Sequence, residues 1–161
     1  LVGSEMCKET GLEELKTFYT TYFKGKSNEK YINPQKGFES YFISFNGGAT
    51  LELMSRTDIQ HAPIEENRQG LTHFAFSFDS KEEVLQTTEL LRTKGYIIAS
   101  EPRTSGDGYF ESVILDPDGN RIELFTSSKK SILKVFGQGK CAKTKSNLLM
   151  NTIQARMIRK K

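Results

Sequence analysis

The chain has 161 residues, of which 36% are hydrophobic and 27% charged, and its formal net charge is +3. This length and composition predict one compact domain with a single hydrophobic core. No run approaches the roughly 18 apolar residues of a membrane span, and the start lacks a secretory signal pattern, so we expect a cytoplasmic protein without a membrane span.

The charge is divided unevenly along the chain. Residues 1–126 carry 13 basic and all 20 acidic side chains, a balance of −7, whereas residues 127–161 carry 10 basic side chains and no acidic one. We interpret 127–161 as a basic C-terminal tail that is flexible or weakly helical. A basic tail can bind nucleic acid or an anionic membrane surface, but a solvated tail is the commoner case, so we expect no specific nucleic-acid partner.

The first part of the chain, residues 1–55, alternates between helical and extended patterns. Residues 1–11 have no clean period and allow at most a short strand. An apolar stripe at helical spacing then begins at Leu12, and a hairpin signal occurs at Asn46-Gly47-Gly48. The predicted elements are a helix from Leu12 to about Gly25 and strands at 31–32, 38–45 and 49–54.

The polar residues 56–70 are interpreted as a linker between two modules, since they include Pro63 and Gly70. Module one covers about 1–55, and module two covers 71–126. The predicted elements of module two are a strand at 71–78, a helix that Asp79-Ser80 opens and Gly95 closes, and strands at 96–99, 109–115 and 120–125.

Short sequences recur in the two halves at nearly constant spacing. The pairs are Phe38-Glu39-Ser40 with Phe110-Glu111-Ser112, Leu51-Glu52-Leu53 with Ile122-Glu123-Leu124, and Glu13-Glu14-Leu15 with Glu82-Glu83-Val84, at offsets of 72, 71 and 69 residues. Their order and spacing favour a duplicated unit of about 70 residues, which has the element order strand, helix and three strands.

His73 stands near the start of the strand at 71–78. Because successive side chains of a strand point to opposite faces, Phe74 and Phe76 share one face, and His73 shares the other with Ala75. The aromatic face is predicted to be the core face. The imidazole then faces a cavity as a ligand, or it is a hydrogen-bonded structural histidine.

Two glutamates project from strands that otherwise form core. Glu52 lies between Leu51 and Leu53 in the first module, and Glu123 occupies the matching place in the second. A carboxylate there is costly unless it is paired, solvated or bound to a metal. With His73, these glutamates are candidates for one divalent-metal site; the alternative is that both face solvent on the open side of a sheet.

Residues 12–126 resemble the glyoxalase, bleomycin-resistance and extradiol-dioxygenase superfamily, also called vicinal oxygen chelate proteins. The resemblance rests on the stripe from Leu12 to Phe23, on Leu51-Glu52-Leu53, on Thr72-His73-Phe74-Ala75-Phe76 and on the run from Asp116 to Leu124. It implies an α+β fold in which two βαβββ modules form an open, cup-shaped mixed sheet within a domain at 1–126.

The resemblance also implies a metal site and a reaction. Glu52, His73 and Glu123 would be ligands of a divalent ion, drawn from Ni, Zn, Co, Mn or Fe. The implied activity is that of a glyoxalase-like lyase or isomerase, which stabilises an enediolate formed from a small substrate with vicinal oxygens. Glu123 would be the base and Glu52 the opposite catalytic carboxylate.

The fourth corner of the implied site lacks a histidine. Glyoxalase-like members have a histidine on the first strand, but the repeat offset leads from His73 to Ser4. Glu5 is a substitute ligand only in a bulged strand, and His61 in the linker is another conceivable donor. The site therefore has three protein ligands, or it is incomplete.

The sequence also offers candidate substrate-binding residues and alternative functions. Arg103, Tyr109 and Tyr41 are candidate substrate-binding residues at the cup, although an exposed arginine and a core tyrosine also explain the first two. A homodimer that completes the cup is a further expectation. One rival is a non-catalytic, antibiotic-sequestering binder, whose cup would be lined by Phe38, Tyr41, Tyr109 and Phe110. The others are a degenerate member with an incomplete site and a ring-cleaving dioxygenase, which the single histidine of the set disfavours.

Overall fold

The structure, a computed structural model, describes residues 11–46, 48–58, 70–127 and 153–158. These residues form two helices, one 3₁₀ turn and nine strands. In chain order they are α1 Leu12–Tyr22, β1 Lys26–Ser27, β2 Tyr31–Asn33, a 3₁₀ turn Pro34–Lys36, β3 Phe38–Ser44, β4 Thr50–Arg56, β5 Gly70–Ser77, α2 Lys81–Thr93, β6 Ile98–Thr104, β7 Tyr109–Leu115, β8 Arg121–Ser127 and β9 Ile153–Ile158.

The first sheet is antiparallel and is built around β3. Strands β1 and β2 pair with one edge of β3, and β4 pairs with the other along its whole length. Gly37 lies between the 3₁₀ turn and β3, and its φ of +54° is a conformation that glycine adopts without a steric penalty. The Asn33 side chain accepts a hydrogen bond from the Lys36 amide and closes that turn.

The second sheet is mixed and has the order β6-β7-β8-β5-β9. Strands β5 and β8 run parallel, and the other pairs are antiparallel. The turn into β8 is shaped by Asp116, whose Oδ1 accepts hydrogen bonds from the amides of Asp118 and Asn120. This turn sets the register of the strand that carries Glu123.

One hydrophobic core joins both helices to both sheets. In α2 the buried positions Val84, Thr88 and Leu91 follow a helical stripe, and the Ser80 side chain caps the helix by accepting from the Glu83 amide. In α1 the aromatic residues reach Phe76 of β5, whose ring centroid lies 4.3 Å from that of Phe23. The prediction that the aromatic face of β5 is its core face is confirmed, since Phe76 is only 1% exposed.

The predicted α+β class and both helices are confirmed, and the described strands form two open sheets, whereas a single mixed sheet was predicted. The predicted first strand, within residues 1–10, lies outside the described residues, as do 59–69 of the linker. In the parts of the chain that the structure covers, there is no helix long and apolar enough to span a bilayer.

Two strands differ from the sequence prediction. Strand β6 runs to Thr104, beyond the predicted end at Ala99, because an edge strand accommodates Pro102, whose nitrogen donates no hydrogen bond. Residues Ile153–Ile158 form β9 and are not weakly helical. An alternation of apolar and polar residues in Ile153–Ile158 is the strand period that the prediction missed.

The structure also corrects the register of the repeat. In the first hairpin Phe42 pairs with Glu52, and in the second Val113 pairs with Glu123. Both pairs differ by 71 positions, so the match of Ser40 with Ser112 is out of register by one residue. The structural counterpart of Ser112 is Tyr41, because these residues pair with Leu124 and Leu53 respectively.

Candidate metal centre

His73 lies on β5, on the face of the second sheet away from α2. The face toward α2 is identified by Ser112 of β7, whose hydroxyl lies 2.8 Å from that of Thr88 in a buried hydrogen bond. Parity along β7 and β8 then places Glu123 on the opposite face. His73 shares this face, which we call the open face of the second sheet.

The structure brings His73 and Glu123 together. Their strands are parallel neighbours, with Ala75 in register with Glu123, and His73 Nε2 lies 2.8 Å from Glu123 Oε2. The side chains are 14% and 6% exposed. A carboxylate this well buried has lost most of its hydration, and the imidazole of His73 is the polar group that lies beside it.

The contact between His73 and Glu123 is close, and no hydrogen bond is formed in it. Nε2 of His73 is a buried nitrogen without a hydrogen-bond partner among the described residues, although a carboxylate oxygen is 2.8 Å away. The nitrogen can donate a hydrogen bond or bind a metal, according to which ring nitrogen carries the proton. A buried polar atom left in this way requires an explanation.

The separation of the two atoms is compatible with two ligands of one metal ion. Donors that bind an ion at about 2.1 Å and at right angles to each other lie about 3 Å apart, and each directs its lone pair at the ion. Imidazole nitrogen and carboxylate oxygen suit a divalent ion of borderline or hard character. The pair therefore fits two adjacent corners of such a site.

Glu52 is not part of this pair within the chain. It lies on β4 opposite Phe42 and is exposed to solvent, on a face that also carries Met54. Among the described residues, no group of three or more His, Cys, Asp or Glu side chains is arranged to hold a metal ion. The expected set of Glu52, His73 and Glu123 is thus brought together only in part. Ser4, Glu5 and His61 lie outside the described residues.

Arg103 and Tyr109 lie at the end of the open face that is farther from His73. Arg103 pairs in register with Glu111, and its Nη2 donates to Glu111 Oε1 at 3.3 Å. The Tyr109 ring contacts Phe125 edge to face, with centroids 5.7 Å apart. Both candidates therefore flank the surface that carries Glu123.

Sequence reasoning missed Glu111 as a member of this surface. Its side chain is 13% exposed, while that of Arg103 is 66% exposed. The signal was available, because strand parity places Glu111 on the same side as Tyr109 and opposite Ser112. The sequence analysis used Glu111 only in the comparison of the two halves.

Tyr41 lies elsewhere, at the contact between β3 and α1. It is 5% exposed, and its hydroxyl donates to Glu13 Oε1 at 2.8 Å. This hydrogen bond, with Lys30 beside it, lowers the pKa of the Glu13 carboxyl. The aromatic residues expected to line the cup of a binding protein are therefore divided between different surfaces, because Phe110 packs against the core and Tyr109 lies on the open face.

The chain matches a family model and a bacterial protein. The model of the Glyoxalase/Bleomycin resistance protein/Dioxygenase superfamily matches residues 10–124. An uncharacterised protein of Bacillus subtilis (strain 168), YqjT, is 41% identical over 64 residues, which are 38% of this chain and 50% of that protein.

Solved structures share the fold. Glyoxalase I from Zea mays is 25% identical with a TM-score of 0.57, over 71% of this chain and 40% of the maize chain. A glyoxylase/bleomycin resistance protein/dioxygenase domain from Frankia sp. EAN1pec is 18% identical with a TM-score of 0.64, over 74% of this chain and 86% of that one. The chain spans about half the length of the Bacillus relative and 40% of the maize enzyme.

Proposed function

Because the chain belongs to the Glyoxalase/Bleomycin resistance protein/Dioxygenase superfamily, we propose that it is a metal-dependent, glyoxalase-like lyase or isomerase. Its substrate is a small molecule with oxygens on adjacent carbons. The observation that carries the proposal is the His73–Glu123 pair, two buried donors 2.8 Å apart with the imidazole nitrogen lacking a hydrogen bond. The likeness to the maize glyoxalase I supports the reaction class.

His73 and Glu123 hold the divalent ion, and Glu52 is the third ligand. Held by these residues, a divalent ion would supply electrostatic stabilisation of the negative charge that develops on the substrate. His73 and Glu123 lie on adjacent strands inside a sheet, so their positions are set by the backbone ladder between β5 and β8. Such support keeps the ligands at the right separation before the ion arrives.

Glu123 also moves the proton. Its carboxylate is 6% exposed, so few water molecules compete for it, and it can accept a proton from one substrate carbon and return it to the neighbouring carbon. Arg103 and Tyr109, farther along the same face, orient an anionic part of the substrate. Tyr41 is left out of the site because its hydroxyl is engaged by Glu13.

Glu52 reaches the site from a second copy of the chain. It lies on a face of the first sheet on which Phe42 is 42% exposed and Met54 is 50% exposed. Covering these apolar side chains in a homodimer removes them from water and can bring Glu52 to the His73–Glu123 pair of the other protomer. The expected homodimer and the third ligand are then one hypothesis.

Metal binding tests the proposal without knowledge of the substrate. The purified protein is titrated with Ni²⁺ and with Zn²⁺ by calorimetry, and the expected result is one ion per chain. His73→Ala and Glu123→Gln should each weaken binding by about tenfold or more, since each removes a direct ligand. Glu111→Gln is the matched control, because it changes a carboxylate on the same face that does not contact His73. Equal affinity in the wild type and Glu123→Gln would exclude this centre.

Turnover is tested with a hemithioacetal made from an α-ketoaldehyde and a thiol, which carries oxygens on adjacent carbons. Glu123→Gln should abolish turnover while the circular dichroism spectrum of the fold is unchanged. Glu52→Gln should weaken metal binding in the dimer. If Glu52→Gln leaves metal affinity unaltered, Glu52 is not the third ligand.

A further inference from the structure

Strand β5 carries His73 and has neighbours on both sides. Strand β8 pairs with it in parallel, and β9 pairs with it antiparallel on the opposite edge. Among the described residues, β5 would be the last strand of the sheet without β9. The backbone amides and carbonyls of that edge would then be open to any other extended segment.

The strand that covers this edge comes from outside the part of the chain that defines the family. The family match ends at residue 124, whereas β9 is Ile153–Ile158. The pairing is extensive: six positions of β5 have partners in β9, from Gly70 opposite Ile158 to Phe76 opposite Ile153. Pairing over this length is a sheet ladder and not an isolated contact.

Charge favours an attachment within the chain. Residues 127–161 carry 10 basic and no acidic side chains, and residues 1–126 have a balance of −7. Opposite net charges on the tail and the body attract each other. Because both belong to one chain, the effective concentration of the tail near the β5 edge is also raised. A strand from the same chain therefore has an advantage over a strand from a different molecule.

We propose that residues 153–158 are a built-in cover for the β5 edge, which keeps strands of other molecules from adding to the sheet that carries His73. The occupant of the edge is the chain's own C-terminal segment, bound by β-strand addition. Residues 153–158 of the basic tail are then a structural part of the second sheet. This inference goes beyond the proposed catalytic function and does not depend on it.

The cover also bears on the position of His73. Arg156 occupies the register position opposite His73, and the ladder has an irregularity between Leu71 and His73. A bulge bends and twists its strand locally, so the pairing with β9 contributes to the backbone conformation immediately before the imidazole. Loss of β9 should therefore loosen the segment 70–77 first.

Hydrogen exchange tests the pairing. Ala155→Pro introduces a residue that has no amide hydrogen and is poorly tolerated within a ladder; Ala155 lies opposite Phe74. Exchange in the segment 70–77, measured by mass spectrometry on the full chain, should become about tenfold faster or more. Ala142→Pro is the matched control, because it places proline in the same tail but outside β9. Unchanged exchange in Ala155→Pro would overturn the proposal.

A cross-link gives a second test that does not weaken the fold. Leu71 lies opposite Met157, and residues opposite each other in antiparallel strands are close enough for a disulfide. Leu71→Cys with Met157→Cys, in a chain whose Cys7 and Cys141 are replaced by serine, should form the bond within one chain on mild oxidation. Leu71→Cys with Ile132→Cys is the control. Absence of the intrachain bond, or bonds only between chains, would refute the assignment of β9.

Self-association tests the second part of the proposal. The weight-average mass of Ala155→Pro, measured by light scattering, should rise with concentration more steeply than that of the wild type or Ala142→Pro. A variant with a freely exchanging 70–77 segment and no additional association would show that β9 does not exclude other chains. The proposed homodimer is formed through Phe42 and Met54 of the first sheet, and the β5 edge belongs to the second sheet. The mass of Phe42→Ser, measured in the same way, therefore reports on the homodimer separately.

Discussion

The hydroxyl of Tyr19 donates a buried hydrogen bond of 2.8 Å to Asp116 Oδ2, across 97 positions of the chain. Tyr19 belongs to α1 in the first module, and Asp116 closes the turn that leads into β8 and to Glu123. Burial, reinforced by the Asp116 carboxylate, raises the pKa of Tyr19, so the hydroxyl remains a donor throughout the ordinary pH range. This bond joins α1 to the turn that leads into β8, the strand that carries Glu123.

Tyr19→Phe should destabilise the protein by about 1–3 kcal/mol, because it leaves one oxygen of a buried carboxylate with a single remaining side-chain donor, Asn120. Urea unfolding followed by circular dichroism measures the change. Tyr31→Phe is the matched control. Because Tyr31 is 51% exposed, the loss of its hydroxyl should hardly change the free energy of unfolding. Equal stability of the two variants would contradict a structural role for the Tyr19–Asp116 bond.

Gly25 lies where the chain leaves α1 and passes close to β3. A Cβ there would overlap Ile43 Cγ2 and would lie 3.1 Å from both a ring carbon of Phe45 and the carbonyl oxygen of Tyr19. Gly25→Ala should therefore cost about 1–3 kcal/mol through overpacking. Gly106→Ala is the control, because a Cβ at Gly106 meets nothing within 4 Å. A thermal shift that is the same in both variants would rule out this close approach.

The hydrogen bond from Tyr41 predicts a pH effect at Glu13. Because the pKa of Glu13 is lowered in the folded protein, the carboxylate contributes stability above its unfolded pKa, and that contribution is lost as the pH falls through the folded value. Tyr41→Phe removes the largest cause and should move the pKa of Glu13 upward toward the ordinary carboxyl range. An NMR titration of the Glu13 carboxyl measures it. An unchanged midpoint would mean that the neighbouring lysines, Lys30 and Lys16, account for the lowered pKa without Tyr41.

Arg103 provides a test of substrate orientation within the proposed function. Arg103→Ala should raise KM for an anionic hemithioacetal by about tenfold or more and leave kcat nearly unchanged, because it removes binding that is uniform along the reaction. Arg92→Ala is the control, since Arg92 is an exposed arginine paired with Glu101 on the helix side. If both variants have the wild-type KM, the substrate does not bind Arg103.

The internal repeat illustrates how far local patterns extend. Sequence matching correctly paired Glu52 with Glu123, because the flanking apolar residues alternate in the same way in β4 and β8. It paired Ser40 with Ser112, but the ladders place Tyr41 at the position of Ser112. A three-residue identity contains no information about hydrogen-bond register, which is set by pairing across the hairpin.

The amino-acid sequence by itself determined both helices, the alternation of β5 and the family, because each depends on local periodicity or on a run of adjacent residues. Strand parity also predicted that the side chains of His73 and Glu123 lie on the faces of their strands opposite the aromatic or aliphatic core residues. Only the tertiary structure decided that these two meet at 2.8 Å, that Glu52 lies on a separate sheet, and that residues 153–158 pair with β5. Each of these depends on which strands are neighbours, and that choice is made by long-range packing and backbone pairing, which local pattern does not encode.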